Sequence, residues 1–299
     1  MFEKVIYIAS DCRSGSTLLD LLLGNHDKIT SVGELWRLEE CLNNPESDCH
    51  ICMCGKSIKE CPFWEKVEYV LGVPLEKIKT KCHEKLVDRR LEQAIMLLNN
   101  HKLSTFCSYF LNSFKHDMEC AANMLRLYDA ISKVNKTPFI VDSSKVAYYF
   151  RLLYLIQPAK VKIIFLYRDG RGVTYSKMRE ARVTLEEAAK GWVKSNRMMQ
   201  IMRFGIPKNQ IFMTKYEDLC KQPFKVLEKI SHFIGIGFQK KMTRLDKCGK
   251  HNIGGNPMKF HKENNKITLD ERWKNKMNVK DLAVFKKIAG KMNEKLGYF

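Results

Sequence analysis

Apolar positions fall into short blocks separated by polar loops, and their period changes along the chain. Val5-Ile-Tyr-Ile-Ala9 is a strand-length aliphatic run; polar Ser10-Asp-Cys-Arg-Ser-Gly-Ser-Thr17 follows, and then Leu18, Leu19, Leu21, Leu22 and Leu23. That order predicts a strand, a tight loop and a buried helix stopped at Gly24-Asn25. A second strand-like run covers Ile29 to Gly33. After Pro138 the alternation returns, with a strand over Phe139 to Asp142, a helix from Lys145 to Ile156 and a strongly apolar strand over Val161 to Tyr167. Helices from about Gly170 to Glu180 and from Thr184 to Arg203 precede a last strand, Gln210 to Thr214, and 223–236 reads as an amphipathic helix. Residues 248–268 are loop-like around Gly254-Gly255-Asn256-Pro257. Between 64 and 135 the spacing is helical, as at Leu86, Leu91, Ile95 and Leu98, with no convincing strand. Strands alternating with helices predict a three-layer α/β fold, a central parallel β-sheet flanked by helices and joined by right-handed crossovers. A chain of 299 residues fits one such domain, 1–299, with a helical substrate-side insertion at about 64–135.

The first residues run straight into the first predicted strand, which leaves no room for a cleavable signal. No segment reaches the roughly 18 uninterrupted apolar residues of a membrane span. A cytoplasmic protein without a membrane span is therefore expected. The net charge of +19 favours anionic partners, among them a polyphosphorylated nucleotide, an acidic glycan, nucleic acid or a membrane surface. Charge does not choose between these, and a solvated lysine-rich surface gives the same count. The basic excess from Lys240 onward does point to a phosphate-facing segment late in the chain. Eleven cysteines, an odd number, do not read as a secreted disulfide framework. Cys49, Cys52, Cys54 and Cys61 have spacings open to a tetrahedral zinc, to one local disulfide or to unlinked thiols, with a structural role in each case. The oligomeric state is left open, a homodimer included.

In a doubly wound sheet, ligands bind beyond the carboxyl ends of the strands, so the loop after the first strand is the place for chemistry. There Gly15 lets backbone approach an anion, Ser14, Ser16 and Thr17 supply hydroxyls, Arg13 supplies charge, and the next helix offers its positive end. A plain Gly-Ser turn before a core helix would use the same residues. A Walker A loop would need glycine at Ser10 and lysine at Ser16, so a P-loop nucleotide kinase stands only as an alternative. A basic nucleic-acid-binding protein is the other alternative, although no recognition module is present. Two further clusters lie at predicted strand ends. Val141-Asp-Ser-Ser-Lys145 delivers hydroxyls and a cation, and Arg168-Asp-Gly-Arg-Gly-Val-Thr-Tyr-Ser176 delivers an arginine fork and a hydroxyl two helical turns on.

With Gly33-Glu34, Tyr216-Glu-Asp-Leu219 and Gly254-Gly-Asn-Pro-Met258 added in order, the chain resembles the family of sulfotransferases that use 3′-phosphoadenosine 5′-phosphosulfate (PAPS). The resemblance spans nearly the whole chain and is nearer to the bacterial and tyrosylprotein branches. It implies a P-loop-like fold and transfer of the sulfuryl group of PAPS to an acceptor hydroxyl, a small-molecule alcohol or phenol or a carbohydrate being favoured over peptidyl tyrosine. It also implies that Arg13, Ser14, Gly15, Ser16 and Thr17 hold the 5′-phosphosulfate and that Arg168 and Ser176 hold the 3′-phosphate. Tyr216 would flank the adenine, and Asn256, Met258 and Lys259 would close a loop over the nucleotide. Glu34 is the expected base, with Arg13 and Lys145 stabilising the departing nucleotide. No metal and no specific nucleic acid are expected. The chain departs from the cytosolic phenol and steroid branch in having Arg13 where that branch has lysine, and in having no histidine placed as its base; His26 reads as a structural cap. Its Cys52-x-Cys-Gly…Cys-Pro-Phe-Trp64 segment resembles one in bacterial members.

Overall fold

The structure, a computed structural model, describes residues 2–82, 112–246, 249–260 and 266–299, the side chains of residues 112, 113 and 258 excepted. Five strands form one wholly parallel sheet: β1 (Lys4–Ser10), β2 (Ile29–Gly33), β3 (Phe139–Lys145), β4 (Val161–Tyr167) and β5 (Ile211–Lys215), in the spatial order β2-β3-β1-β4-β5. Period-two alternation sends successive side chains of β1 to opposite faces. Val5, Tyr7 and Ala9 join one apolar cluster, and Ile6 and Ile8 join the other. Both faces are covered, which is why β1 and β4 are apolar almost throughout.

Among the described residues the longer helices are α1 (Ser16–Leu23), α2 (Pro62–Leu71), α3 (Asn112–Asn135), α4 (Ala147–Ile156), α5 (Gly170–Ala181), α6 (Leu185–Met202), α7 (Pro223–Ile234) and α8 (Val279–Lys295). Helices α1 and α7 supply the apolar residues on the Ile6 face, while α3 and α4 cover the Tyr7 face. A third cluster, with Val173 of α5, Trp192 of α6 and Phe285 of α8 buried in it, packs beside the sheet. Capping boxes at Thr184 and Asn278 start α6 and α8.

Because α1 carries the chain from β1 past the later position of β3 to β2, and β4 then starts the other half, the topology switches at β1. The loop after β1 therefore opens into the crevice between the two halves. The expected three-layer α/β fold is present, with adjustments at element ends. β3 runs on to Lys145 because Asp142, Ser143 and Ser144 are buried in the sheet, and Lys145 has φ 73°, outside the helical region, so the following helix begins at Ala147. Of the stretch expected to be a helical insertion, α2 and α3 are described, whereas Leu86, Leu91, Ile95 and Leu98 lie outside the described residues.

Candidate active site

Ser10 ends β1 at the centre of the sheet, and the chain turns through Arg13 and Gly15, both with positive φ, into α1. Gly15 has φ 88°, and a Cβ there would sit 2.4 Å from the Tyr216 ring. Only glycine satisfies both constraints. No side chain caps α1 and its first turn carries no acidic residue, so its positive end is left for another acceptor.

Beside this loop the ends of β2 and β3 place Glu34 and Lys145 together. Lys145 Nζ donates to Glu34 Oε1 in an ion pair whose two side chains are nearly buried. A late segment of the chain supplies the opposite wall. Ile253 pairs with β2: its N–H donates to Val32 O at 3.0 Å, and Glu34 N donates to Ile253 O at 2.7 Å. The segment then turns at Gly254 and Gly255, and Asn256 N donates to Thr17 Oγ1 at 3.1 Å. The wall is thus tied both to the backbone of Glu34 and to Thr17 beside the anion loop.

On the β4 side, Arg168 NH1 donates to Arg13 O at 2.8 Å, NH2 donates to Asp270 O at 2.8 Å, and the guanidinium lies 4.5 Å from the centre of the Tyr216 ring. Arg13 Nε donates to Ser176 Oγ at 3.0 Å, and its NH2 is 3.2 Å from Glu180. The Arg272 guanidinium, with Arg168 nearby, holds the Asp270 carboxyl well below the usual carboxylate range. Tyr216 is buried, which pushes its hydroxyl up; that hydroxyl donates to Thr268 O at 3.2 Å and accepts from Asp270 N at 3.1 Å.

These groups line one cavity of about 1000 Å³, whose walls include Arg13, Gly15, Ser16, Thr17, Glu34, Lys145, Arg168, Ser176, Tyr216 and Asn256. The positive groups around it outnumber the carboxylates. Such a cavity suits a multiply charged anionic ligand with a ring to stack, and it sets a carboxylate and an ammonium at one end.

Two expected residues stand elsewhere. Lys259 is buried behind the wall, where its ammonium donates to the carbonyls of Asn252, at 3.4 Å, and Gly254. Those contacts brace the wall from behind and Lys259 does not line the cavity, while burial lowers its pKa to about 8. Ser14, within the loop, is buried and does not line the cavity either. The Met258 side chain lies outside the described ones. The His26 ring, read from the sequence as a cap on the first helix, makes its hydrogen bonds elsewhere: Nδ1 accepts from Lys28 N at 3.0 Å and Nε2 faces Gly237 O at 2.8 Å. Sequence reasoning missed Arg37, Arg179, Lys266 and Arg272, all of which line the cavity. Only the basic excess late in the chain hinted at the last two. The four-cysteine group also divides, because Cys49 is bonded to Cys41.

A family model for the sulfotransferase domain matches residues 3–297. Among solved structures, the sulfotransferase domain from the curacin biosynthetic pathway is 16% identical, covers 100% of this chain and 99% of its own length, and superposes with a TM-score of 0.58. The sulfotransferase domain of the olefin synthase from Synechococcus PCC 7002 is 17% identical, with coverage of 96% and 94% and a TM-score of 0.52. At these identities the two structures speak for the fold. No curated protein sequence matches this chain.

Proposed function

Since the chain belongs to the sulfotransferase domain family and transfers the sulfuryl group of PAPS to an acceptor, we propose how its cavity divides that work among its residues. The 5′-phosphosulfate lies on the loop at Arg13, Gly15, Ser16 and Thr17 and at the open end of α1, where N–H groups, hydroxyls and the arginine complement an anion. Arg168 and Ser176 take the 3′-phosphate, and Tyr216, already under the Arg168 guanidinium, flanks the adenine. Asn256 closes the wall over the donor.

Glu34 accepts the acceptor's proton as that hydroxyl bonds to sulfur. Lys145, which the same carboxylate holds, turns to the bridging oxygen of the departing nucleotide, where negative charge develops as the S–O bond breaks. The observation that carries this reading is the convergence of the anion loop, the Glu34–Lys145 pair and the Arg168–Tyr216 stack on one cavity. Its size suits the donor nucleotide with a small-molecule alcohol or phenol, or a sugar, as acceptor.

Calorimetry with 3′-phosphoadenosine 5′-phosphate (PAP) tests the donor half. Binding should need no added metal and should weaken roughly 10-fold or more in Arg168→Lys, which keeps the charge but loses the fork. Equal binding by that variant, or tighter binding of ATP with Mg²⁺, would count against the assignment. Labelled PAPS offered to alcohols, phenols, sugars and tyrosyl peptides tests the acceptor.

A further inference from the structure

The segment from Cys52 to Cys61 takes no part in the cavity, yet its thiols are not scattered. Cys61 Sγ lies 3.6 Å from Cys54 Sγ and 3.6 Å from Cys52 Sγ. From nearly two hundred residues later, His251 brings Nδ1 to 3.2 Å from Cys61 Sγ and 3.7 Å from Cys52 Sγ. All four ligand atoms lie within 4.8 Å of one another.

Zinc–sulfur bonds of about 2.3 Å and zinc–nitrogen bonds of about 2.0–2.1 Å give a tetrahedron with S–S edges near 3.8 Å and S–N edges near 3.5 Å. The four separations given above, two between sulfurs and two between sulfur and nitrogen, match edges of such a tetrahedron within a few tenths of an ångström. The sulfurs are too far apart for a disulfide and too close together to surround an iron–sulfur cluster.

The backbone around the thiols is pinned as well: Cys52 N donates to Lys56 O at 2.8 Å, Gly55 N donates to Cys52 O at 2.9 Å, and Cys61, with extended backbone, stands at the N-terminus of α2. Gly55, at φ 91°, makes the tight turn that lets Cys52 and Cys54 face one point. The imidazole is fixed by stacking on Phe63, at 4.6 Å between ring centres and 9° between planes.

We propose that Cys52, Cys54, Cys61 and His251 bind one structural zinc ion. Four protein ligands leave no open position, so the metal takes no part in sulfuryl transfer. Its effect is mechanical. His251 immediately precedes the segment that pairs with β2 and covers the anion loop, and Met53 N already donates to Asn252 O at 3.2 Å. Zinc adds a coordinate anchor where this wall begins.

Protein purified under reducing conditions without added metal and analysed by inductively coupled plasma mass spectrometry should carry about one zinc per chain. Exchange into cobalt should give the visible bands of tetrahedral, thiolate-bound Co²⁺. Cys54 is exposed, so Cys54→Ser should fold while binding zinc roughly 100-fold more weakly or worse. His251→Cys, which restores a ligand, should keep the metal with an altered cobalt spectrum. The assignment is overturned if the wild type takes up no zinc after reconstitution, if the zinc content is unchanged in both Cys54→Ser and His251→Ala, or if reducing preparations contain a disulfide among the three cysteines. Metal content is read without turnover, so it is independent of the proposed catalytic roles.

Discussion

Glu34 and Lys145 form the pair on which the chemistry turns, and Lys145 keeps its place at a cost, since a positive φ of 73° is unfavourable for a side-chain-bearing residue. Glu34→Gln preserves shape and removes the base. We expect kcat to fall roughly 10²-fold or more with PAP affinity nearly unchanged, measured by initial rates and calorimetry; near-native turnover would make Glu34 a structural carboxylate. Asp20, buried on α1, carries a second consequence. Burial raises its pKa to about 7, although Ser31 Oγ and Asn252 Nδ2 donate to its Oδ2 and Oδ1 has no partner. The folded protein holds this proton up to about pH 7, whereas the unfolded chain releases it near pH 4. The stabilisation is complete in acid and lost as pH rises through that window, and Asp142, raised by burial to about 6, acts in the same sense. Asp20→Asn, which cannot ionise, should gain on the order of 2–4 kcal/mol over wild type between pH 5 and pH 8 in urea melts. A constant difference across that range would refute the assignment. Residues at strand ends were legible because a short polar motif after an apolar run fixes where they sit. Lys259 was not, because sequence gives its charge and not the two carbonyls that satisfy it. Arg37, Lys266 and Arg272 stand in short or irregular segments where no period marks a face.

Among the elements, the join between β2 and the Asn252–Asn256 wall is the most constrained. A Cβ on Gly33, whose φ is 73°, would lie 2.2 Å from Ile253 O, a backbone atom that cannot swing aside. Gly33→Ala should therefore cost about 2–4 kcal/mol and weaken PAP binding, because the strain falls on the Glu34 N to Ile253 O bond. Gly72→Ala is the control. Gly72 has φ 71° at the end of α2, but nothing lies within 4 Å of an added Cβ, so only the dihedral cost of about 1–2 kcal/mol should appear. Equal losses in urea denaturation would show that the close approach is not tight. The strands and most of the helices could be read from periodicity alone. This join could not, because a lone bridge between segments more than two hundred residues apart leaves no local pattern.

On the scale of the whole molecule, the sheet and the cavity are completed at different points of the chain. The five strands of the sheet are all present by Lys215, whereas the wall over the anion loop, the Asp270 partner of Arg168 and the hydrogen-bond partners of the Tyr216 hydroxyl come from Asn252 to Arg272. During synthesis from the N-terminus, a chain can thus assemble its sheet long before it can hold a nucleotide. Ribosome-arrested chains with residues 1–240 outside the exit tunnel should resist proteolysis across the sheet yet pass unretained over immobilised PAP, and retention should begin only once Arg272 has emerged. Capture by the shorter chains would show that the first half of the site suffices. A product terminated before Arg272 would then be compact but blind to the donor, so that translation through Arg272, and not folding of the sheet, is what licenses the chain to draw on activated sulfate.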